Sequence, residues 1–187
     1  MKLFVATTNP SKLREFALAG LVAEPLPACG APDESGATFE ENAIRKAQHY
    51  SQQFAGVVLA EDSGLEVLAL GGAPGVRSAR WAGNDEANNA RLREAMRGQA
   101  DRRARYVSVI AAATGGQLLA VFRGEVEGEI LDHPRGTGGF GYDPLFYYPP
   151  FGATFAEVDA TRKWEVSHRR RALDQLLAWL KKRRQAR

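Results

Sequence analysis

The sequence has a single cysteine, Cys29, and only three histidines. One cysteine cannot form an intramolecular disulfide, so we expect a reducing compartment and a cytoplasmic protein. With one cysteine and three histidines scattered along the chain, we expect no metal cluster of the Cys/His type. Any bound metal is therefore expected to be a hard cation such as Mg²⁺, held by carboxylates.

Long apolar runs are also missing. No run approaches the ~18–20 apolar residues that a membrane span requires, and the apolar part of the first residues is too short for a signal peptide. We therefore expect no membrane partner. With 44% hydrophobic and 25% charged residues, the composition is globular, and the length of 187 residues predicts a single domain over 1–187.

Glycine is absent from the first polar turn, so neither common Gly-rich phosphate motif is present there. The segment 2–7 predicts a buried strand, and the turn Thr8–Lys12 leads into a helix with Ser11 as its expected N-cap. The start of a helix presents unpaired backbone N–H groups, and Lys12 lies beside them. This turn is therefore a candidate anion site.

Positive charge is concentrated at one end of the chain. Residues 162–187 hold ten Lys or Arg against two acids, a balance of +8, so the first 161 residues carry −5. Such a segment suits nucleic acid or another anionic ligand. A helix with Leu173, Leu176, Leu177 and Leu180 on its buried side explains it equally well, because cations stabilise the C-terminal end of a helix. We favour the helix for 181–184 and keep a nucleic-acid-binding module as an alternative.

The stretch Val57–Leu65 joins an apolar strand to two carboxylates. It predicts a buried strand up to Glu61, followed by Asp62, Ser63 and a hinge at Gly64. Neighbouring strand residues point to opposite faces, so both carboxylates can face one ligand only if the strand breaks there. The carboxyl end of a buried strand is where α/β sheets bind ligands, although an ordinary polar turn gives the same pattern.

Upstream and downstream of this stretch, local signals predict further elements. Thr38 and Glu41 form a capping box that opens a helix to about Phe54, preceded by a loop over 24–37. Asn84 or Asp85 is the expected cap of a helix ending near residue 96. Residues 105–113 and 117–130 predict a long hairpin closed by two glycines, and 159–164 predict a short helix.

A glycine-rich loop, 136–144, embeds two aromatic rings and an acid. Its glycines indicate a backbone that approaches something closely. Phe140 and Tyr142 predict a stacking platform for a flat ligand, and a packed loop whose rings fill its own core is the alternative. His168 and Arg169 fall in the first turn of the last helix, where cations are costly unless an anion or polar ligand faces them.

These stretches, in this order, resemble the inosine/xanthosine triphosphate pyrophosphatase family over essentially the whole chain. The matching pieces are Thr7-Thr8-Asn9-Pro10-Ser11-Lys12, Thr38–Ala43 with Lys46, Glu61–Leu65, Gly71–Gly75 with Ser78-Ala79-Arg80, Gly138–Pro144 and Ser167-His168-Arg169. The resemblance implies Mg²⁺-dependent hydrolysis of deaminated purine nucleoside triphosphates (ITP, dITP and XTP) between the α and β phosphorus atoms. It also implies a homodimer and a mixed twisted sheet flanked by helices, with two lobes around a cleft.

The resemblance also implies a role for each matching residue. Asp62 would be the general base and, with Glu34, a metal ligand. The phosphates would be held by Thr7, Thr8, Asn9, Pro10, Ser11, Lys12 and Lys46. The nucleoside would be surrounded by Ser63, Phe140, Gly141, Tyr142, Asp143, Lys163, His168 and Arg169.

This chain departs from the family pattern at two positions. Thr8 stands where the family usually has Gly, and Glu61 stands where Asp is common. The nearest alternative is a Maf-type nucleotide pyrophosphatase acting on pyrimidine or modified nucleotides. The segment Ser167-His168-Arg169 favours the purine family over it.

Overall fold

The computed structural model describes residues 2–7, 9–26, 30 and 32–185. The α-helices are α1 (Pro10–Leu18), α2 (Phe39–Ser51), α3 (Asp85–Ala95), α4 (Ala160–Val166) and α5 (His168–Gln185). The strands are β1 (Leu3–Ala6), β2 (Glu24–Pro25), β3 (Val57–Val67), β4 (Arg103–Thr114), β5 (Gln117–Ile130), β6 (Phe146–Tyr148) and β7 (Ala153–Thr154). Short 3₁₀ helices occupy Leu68–Leu70, Gly75–Arg80 and Pro149–Phe151.

The strands form one mixed sheet in the order β2-β1-β3-β4-β5-β6-β7. β1 pairs in parallel with β2 and β3, whereas β6 pairs antiparallel with β5 and β7. The paired runs of β1 and β3 are apolar and largely buried, as parallel strands covered on both faces usually are. The predicted fold class, a mixed α/β sheet flanked by helices, is confirmed.

β4 and β5 are the predicted hairpin, with a first strand slightly longer than expected. Their two-residue connection consists of Gly115 and Gly116, with φ of 54° and 80°. A tight hairpin turn of this kind needs positive φ at both central residues, which glycine adopts at little cost. The sequence therefore specifies the pairing of these two strands locally.

The chain divides into two compact units. Unit 1 consists of Met1–Asp62, Ser108–Gly124 and His168–Arg187, and unit 2 of Ser63–Val107 and Glu125–Ser167. β3, β4 and β5 each contribute residues to both units. Within the described part of the chain, no helix combines the length and apolarity needed to cross a membrane.

Each unit has its own buried core. In unit 1 the fully buried apolar side chains include those of Phe39, Leu59, Ile110, Leu173 and Leu176. In unit 2 the core cluster includes Leu65, Leu92, Tyr106, Val126, Ile130, Tyr142, Leu145, Phe146 and Phe155. Of the leucine stripe predicted for α5, Leu173, Leu176 and Leu180 are buried, and Leu177 is half-buried.

Several predicted boundaries need correction. β3 does not break at its carboxylates but continues to Val67. Gly64 is not a hinge, because it lies inside this strand, where the hydroxyl of Ser78 takes the space that a Cβ would need. α2 ends at Ser51, three residues before the predicted end, and the predicted loop 24–37 contains the short strand β2.

The predicted helix starts agree better with the structure. Thr38, Asn84 and Asp159 are N-caps of α2, α3 and α4, each accepting a hydrogen bond from a backbone N–H of the first turn. In α1, however, the cap is Asn9 and not Ser11, because the Asn9 side chain accepts from the N–H of Lys12 at 3.3 Å. Pro10 then occupies the first helical position, where its missing N–H costs nothing.

Candidate functional site

β3 carries Glu61 and Asp62 into two different side-chain clusters of unit 1. Because the strand stays extended, the two neighbouring side chains point to opposite faces. Glu61 is 3% exposed and contacts α1, α5 and β4, whereas the half-buried Asp62 contacts α2. The strand does not break, so the two carboxylates do not face one ligand, in agreement with the rule stated from the sequence.

In the first cluster, Asp62 is held at both of its oxygens. The Asn42 amide donates to Oδ2 at 3.2 Å, and the Lys46 ammonium donates to Oδ1 at 3.0 Å. Burial raises the pKa of Asp62 above its ordinary value, although the charge of Lys46 opposes this shift. The carboxylate is therefore a stronger base than that of an exposed aspartate.

Lys46 joins Asp62 to the loop that precedes α2. Its Nζ also lies 3.1 Å from Oε1 of Glu34. Burial works to lower the pKa of Lys46, but the charges of Asp62 and Glu34 outweigh it, so the pKa is raised and the side chain stays protonated. Lys46 is thus a buried, charge-paired lysine and not the solvated lysine that is common on a helix surface.

Glu34 and Asp62 are suited to a hard divalent cation. Both offer carboxylate oxygens within hydrogen-bonding distance of the same ammonium group, at 3.1 and 3.0 Å from Nζ of Lys46. Among the described residues, no group of three or more His, Cys, Asp or Glu side chains forms a closed metal cage. A ligand set of one or two carboxylates completed by water and phosphate oxygens is typical of Mg²⁺.

In the second cluster, Glu61 is surrounded by cations and a hydroxyl. Its carboxylate lies 2.9 Å from Nζ of Lys12 and accepts from Nε of Arg169 and from the Ser108 hydroxyl, both at 2.8 Å. Complete burial works to raise the pKa of Glu61, but the charges of Arg169 and Lys12 outweigh it and hold the pKa well below the ordinary value. Glu61 is therefore ionised at neutral pH and serves as a buried anion that holds Lys12 and Arg169.

Arg169 completes this cluster through a second carboxylate. Its Nη1 donates to Glu15 of α1, and its side chain is only 2% exposed. The sequence predicted that cations at the start of the last helix need an anion to face them, and Glu61 and Glu15 meet that need for Arg169. His168, its predicted companion, is also buried, at 5% exposure.

The predicted phosphate turn lies partly within the described residues. The backbone N–H of Asn9 donates to the Thr7 hydroxyl at 3.2 Å, and Asn9 caps α1 in turn. Pro10 is exposed, and Lys12 contacts Glu61 as described above. Thr8 and the side chain of Ser11 lie outside the described part of the chain.

Unit 2 contains a separate cluster around Asp143. This buried carboxylate accepts from the hydroxyl of Tyr106 at 3.2 Å and from the backbone N–H of Phe140 at 3.0 Å. It also forms a short ion pair with Lys163, whose Nζ lies 4.4 Å from the centre of the Phe140 ring. The ring of Phe140 is 38% exposed and can receive a flat ligand.

The two aromatic rings of the glycine-rich loop have different environments. Tyr142 is buried in the core, and its hydroxyl donates to the carbonyl of Ser78 at 2.8 Å. Only Phe140 fits the predicted stacking platform, whereas the ring of Tyr142 follows the packed-loop alternative. α3 holds the loop at Gly141, whose N–H donates to Asp85 and whose carbonyl accepts from Asn89, both at 2.7 Å.

The structure also describes the predicted residue Ser63 and several polar residues to which sequence reasoning assigned no role. Ser63 is half-buried in unit 2 and directly follows Asp62 on β3. Sequence reasoning assigned no site role to the polar partners that hold these clusters, namely Glu15, Asn42, Ser108 and Tyr106. Of these, Asn42 alone lies in a motif shared with the family, one helical turn from Lys46. The partners of the other three are distant in sequence.

Comparisons with known proteins agree on one family. A sequence model of the Ham1 family matches residues 3–179. A protein of Acidobacterium capsulatum named dITP/XTP pyrophosphatase is 50% identical, over 96% of this chain and 98% of its own length. A protein of the same name from Thermus thermophilus is 48% identical, over 95% of this chain and 90% of its own.

Solved structures lead to the same family. The structure of the Staphylococcus aureus Ham1 protein matches with a TM-score of 0.90 and 38% identity, over 98% of this chain and all of that one. A HAM1 protein from Coxiella burnetii matches with a TM-score of 0.90 and 39% identity, over 97% of this chain and 99% of its own. The resemblance that the sequence motifs indicated is confirmed.

Proposed function

Because the chain belongs to the Ham1 family, we propose that it hydrolyses ITP, dITP and XTP to the monophosphate and pyrophosphate. The observation that carries this proposal is Asp62, a basic carboxylate held by Asn42 and Lys46 beside a second acid, Glu34. Such a group suits the activation of water next to a metal-bound phosphate.

In this reaction Asp62 acts as the general base. A water oxygen forms a bond to phosphorus, the bond to pyrophosphate breaks, and the leaving group keeps the electron pair. The proton lost by the water passes to Asp62. The raised pKa of Asp62 brings it closer to neutral pH, where proton transfer to a general base is most effective.

Cations of unit 1 bind the phosphates. We assign this role to Lys12, Lys46 and the backbone around Thr7–Ser11 at the start of α1, including Thr8, Asn9 and Pro10. Ion pairs with Glu61, Asp62 and Glu34 already orient both ammonium groups. Preorganised cations stabilise charge that develops on a leaving group without further rearrangement.

Glu34 and Asp62 would hold Mg²⁺. When bound, the ion neutralises phosphate oxygens and polarises the phosphorus that water attacks. The residues themselves contribute hard oxygen ligands on two segments, a loop and a strand, that Lys46 connects. We propose one or more such ions as the cofactor.

The purine base is assigned to Phe140 as a stacking partner and to Lys163 as a hydrogen-bond donor. An ammonium carries three N–H groups, of which Asp143 takes one. The other residues assigned to the nucleoside are Ser63, Gly141, Tyr142, Asp143, His168 and Arg169. A homodimer and a cytoplasmic location complete the proposal, and both rest on the sequence and the family resemblance alone.

Phosphorus-31 NMR of ITP with the protein and Mg²⁺ tests this function. We expect pyrophosphate and IMP as products, loss of turnover with EDTA, and recovery with Mg²⁺ or Mn²⁺. Release of inorganic phosphate instead, turnover in EDTA, or stoichiometric zinc in active protein would contradict the proposal. Salt-sensitive oligonucleotide binding without turnover would support the nucleic-acid-binding alternative.

A further inference from the structure

Asn42 is a buried amide whose two polar atoms contact two functional segments. Its side chain lies on the first turns of α2 and is 1% exposed. Nδ2 donates to Oδ2 of Asp62 at 3.2 Å, and Oδ1 accepts from the backbone N–H of Gly36 at 2.8 Å. One side chain therefore connects β3 to the loop that precedes α2.

The hydrogen bond to Asp62 controls the orientation of that carboxylate. Lys46 already holds Oδ1 at 3.0 Å. With Asn42 on Oδ2, both oxygens have a partner, so rotation about the last torsion of the side chain breaks one of the two contacts. An amide adds a hydrogen bond without adding a charge, so it orients the carboxylate without the strong lowering of its pKa that a second cation would cause.

The hydrogen bond to Gly36 controls the position of Glu34. Gly36 is buried and only two residues from Glu34. A Cβ built on Gly36 would lie 2.5 Å from Oδ1 of Asn42, so the loop backbone approaches the amide as closely as glycine allows. Glu41 holds the next residue, since its Oε2 accepts from the N–H of Ala37 at 2.8 Å.

We propose that Asn42 is a positioning residue of the reaction, which orients the Asp62 carboxylate and fixes the Glu34 loop through one amide. This inference rests on the proposed function of Asp62 and Glu34. Buried partners that orient a metal-binding or catalytic carboxylate typically contribute about 10–100-fold in metal affinity or activity. Loss of Asn42 should therefore act mainly on kcat, because Asn42 itself is not assigned to the substrate.

Two substitutions separate the two hydrogen bonds. Asn42→Ala removes both. Asn42→Asp keeps an oxygen that accepts from the N–H of Gly36. It has no N–H to donate to Asp62, and it places a second carboxylate, which repels the first, beside Asp62. The exchange rate of the Gly36 amide proton, measured by NMR without substrate, reports on the loop independently of turnover.

Asn88→Ala is a matched control in unit 2. Asn88 is also 1% exposed, and its Oδ1 also accepts from a backbone N–H six residues earlier, that of Ala82, at 2.6 Å. Its Nδ2 donates to the backbone carbonyls of Ser78 and Ala79, at 3.3 and 3.4 Å, where Asn42 donates to a carboxylate. Asn88→Ala therefore measures the effect on turnover of losing a buried amide that holds a loop backbone in place.

The variants are compared by kcat and KM for ITP at saturating Mg²⁺, at a temperature where each is folded. We expect both Asn42 variants to lose about 10–100-fold in kcat with KM within about threefold, and Asn88→Ala to keep kcat. The Gly36 amide should exchange about tenfold faster or more in Asn42→Ala and stay protected in Asn42→Asp.

Full turnover by Asn42→Asp with a protected Gly36 amide would overturn the inference, because Asn42 would then only brace the loop. Unchanged kcat in Asn42→Ala, or an equal loss in Asn88→Ala, would overturn it as well. A wild-type protein that releases no pyrophosphate from any nucleotide would instead remove the proposed function, and this inference with it.

Discussion

Glu61 and Asp62 are adjacent in sequence but have opposite pKa shifts. Two cations lower the pKa of the fully buried Glu61, whereas burial raises the pKa of Asp62 despite the nearby Lys46. A carboxylate with a low pKa is a poor proton acceptor and a good structural anion. Of the two, Asp62 is therefore the better proton acceptor, and Glu61 is assigned to structure.

Asp62→Asn should leave the fold intact and lower kcat by about 10²–10⁴, the usual contribution of a general base. An amide is nearly isosteric with the carboxylate but cannot take up the proton of water. Asp101→Asn, which changes a half-buried carboxylate of unit 2 paired with the exposed Arg103, is the control and should keep full activity. Steady-state turnover of ITP by the folded Asp62→Asn variant at close to the wild-type rate would remove Asp62 from the mechanism.

At the scale of elements, β3 is the segment on which the site of unit 1 depends. Its alternation sends Glu61 to the ion pairs with α1 and α5 and sends Asp62 to α2. The helices thus contribute side chains to opposite faces of one strand. Glu61 links β3 to α1 and α5 through its ion pairs with Lys12 and Arg169. Its loss should therefore lower the free energy of unfolding more than it lowers kcat.

Glu61→Gln should lower the free energy of unfolding at pH 7 by about 3–5 kcal/mol, because the buried Arg169 loses the fully buried one of its two carboxylate partners. The pKa of Glu61 is lower in the folded state than the ordinary 4.5, so its contribution is fully present above pH 4.5 and is lost as the pH falls through the folded-state value. The variant should therefore show a weaker loss of stability on acidification.

Urea unfolding of both proteins between pH 7 and acidic pH measures this difference. Glu66→Gln is a control on the same strand, since Glu66 pairs with the partly exposed Arg105 at 2.7 Å. Glu66→Gln should lower the free energy of unfolding by at most about 1 kcal/mol. Parallel pH profiles for wild type and Glu61→Gln would show that Glu61 does not carry the acid sensitivity.

At the scale of the whole molecule, three strands contribute to both compact units. We propose that the chain is a single cooperative domain over 1–187, because neither unit can lose β3, β4 and β5 without exposing its own core. Calorimetry should then give one transition whose calorimetric and van't Hoff enthalpies agree. Two separate transitions would show that the units unfold independently.

Much of this architecture could be predicted from local sequence. Neighbouring residues specify the Thr38 cap of α2, the glycine pair of the β4–β5 hairpin and the leucine stripe of α5. The Glu41 side chain accepts from the N–H of Ala37, one residue before the position that a capping box predicts. The family motifs supplied the candidate site residues, and the roles of these residues stay predictions. These signals are short in range, so they identify elements and not their partners.

The polar contacts within the clusters could not be predicted in this way. Arg169 and Glu61 are separated by 108 residues, and nothing near either one indicates the other. Phe140 and Tyr142 occupy similar positions in one glycine-rich loop, yet one ring is exposed and the other buried. Only the three-dimensional packing distinguishes them.

Base selectivity follows from hydrogen-bond polarity. Hypoxanthine and xanthine carry an acceptor oxygen at C6, where adenine carries an amino donor. The ammonium of Lys163, which we assign to the base, is a donor without an acceptor, and stacking on Phe140 favours every purine alike. A substrate that leaves buried donors of the site unpaired can have a kcat/KM lower than that of the matched substrate by a factor of up to ~10⁴–10⁵.

The most direct test is therefore kcat/KM for ITP, XTP, GTP and ATP at one Mg²⁺ concentration. ITP and XTP should lie far above ATP, with GTP intermediate or low because guanine shares the C6 oxygen. An ATP value within about tenfold of the ITP value, a difference of only ~1.4 kcal/mol, would contradict a deaminated-purine pyrophosphatase whose base site is lined by donors.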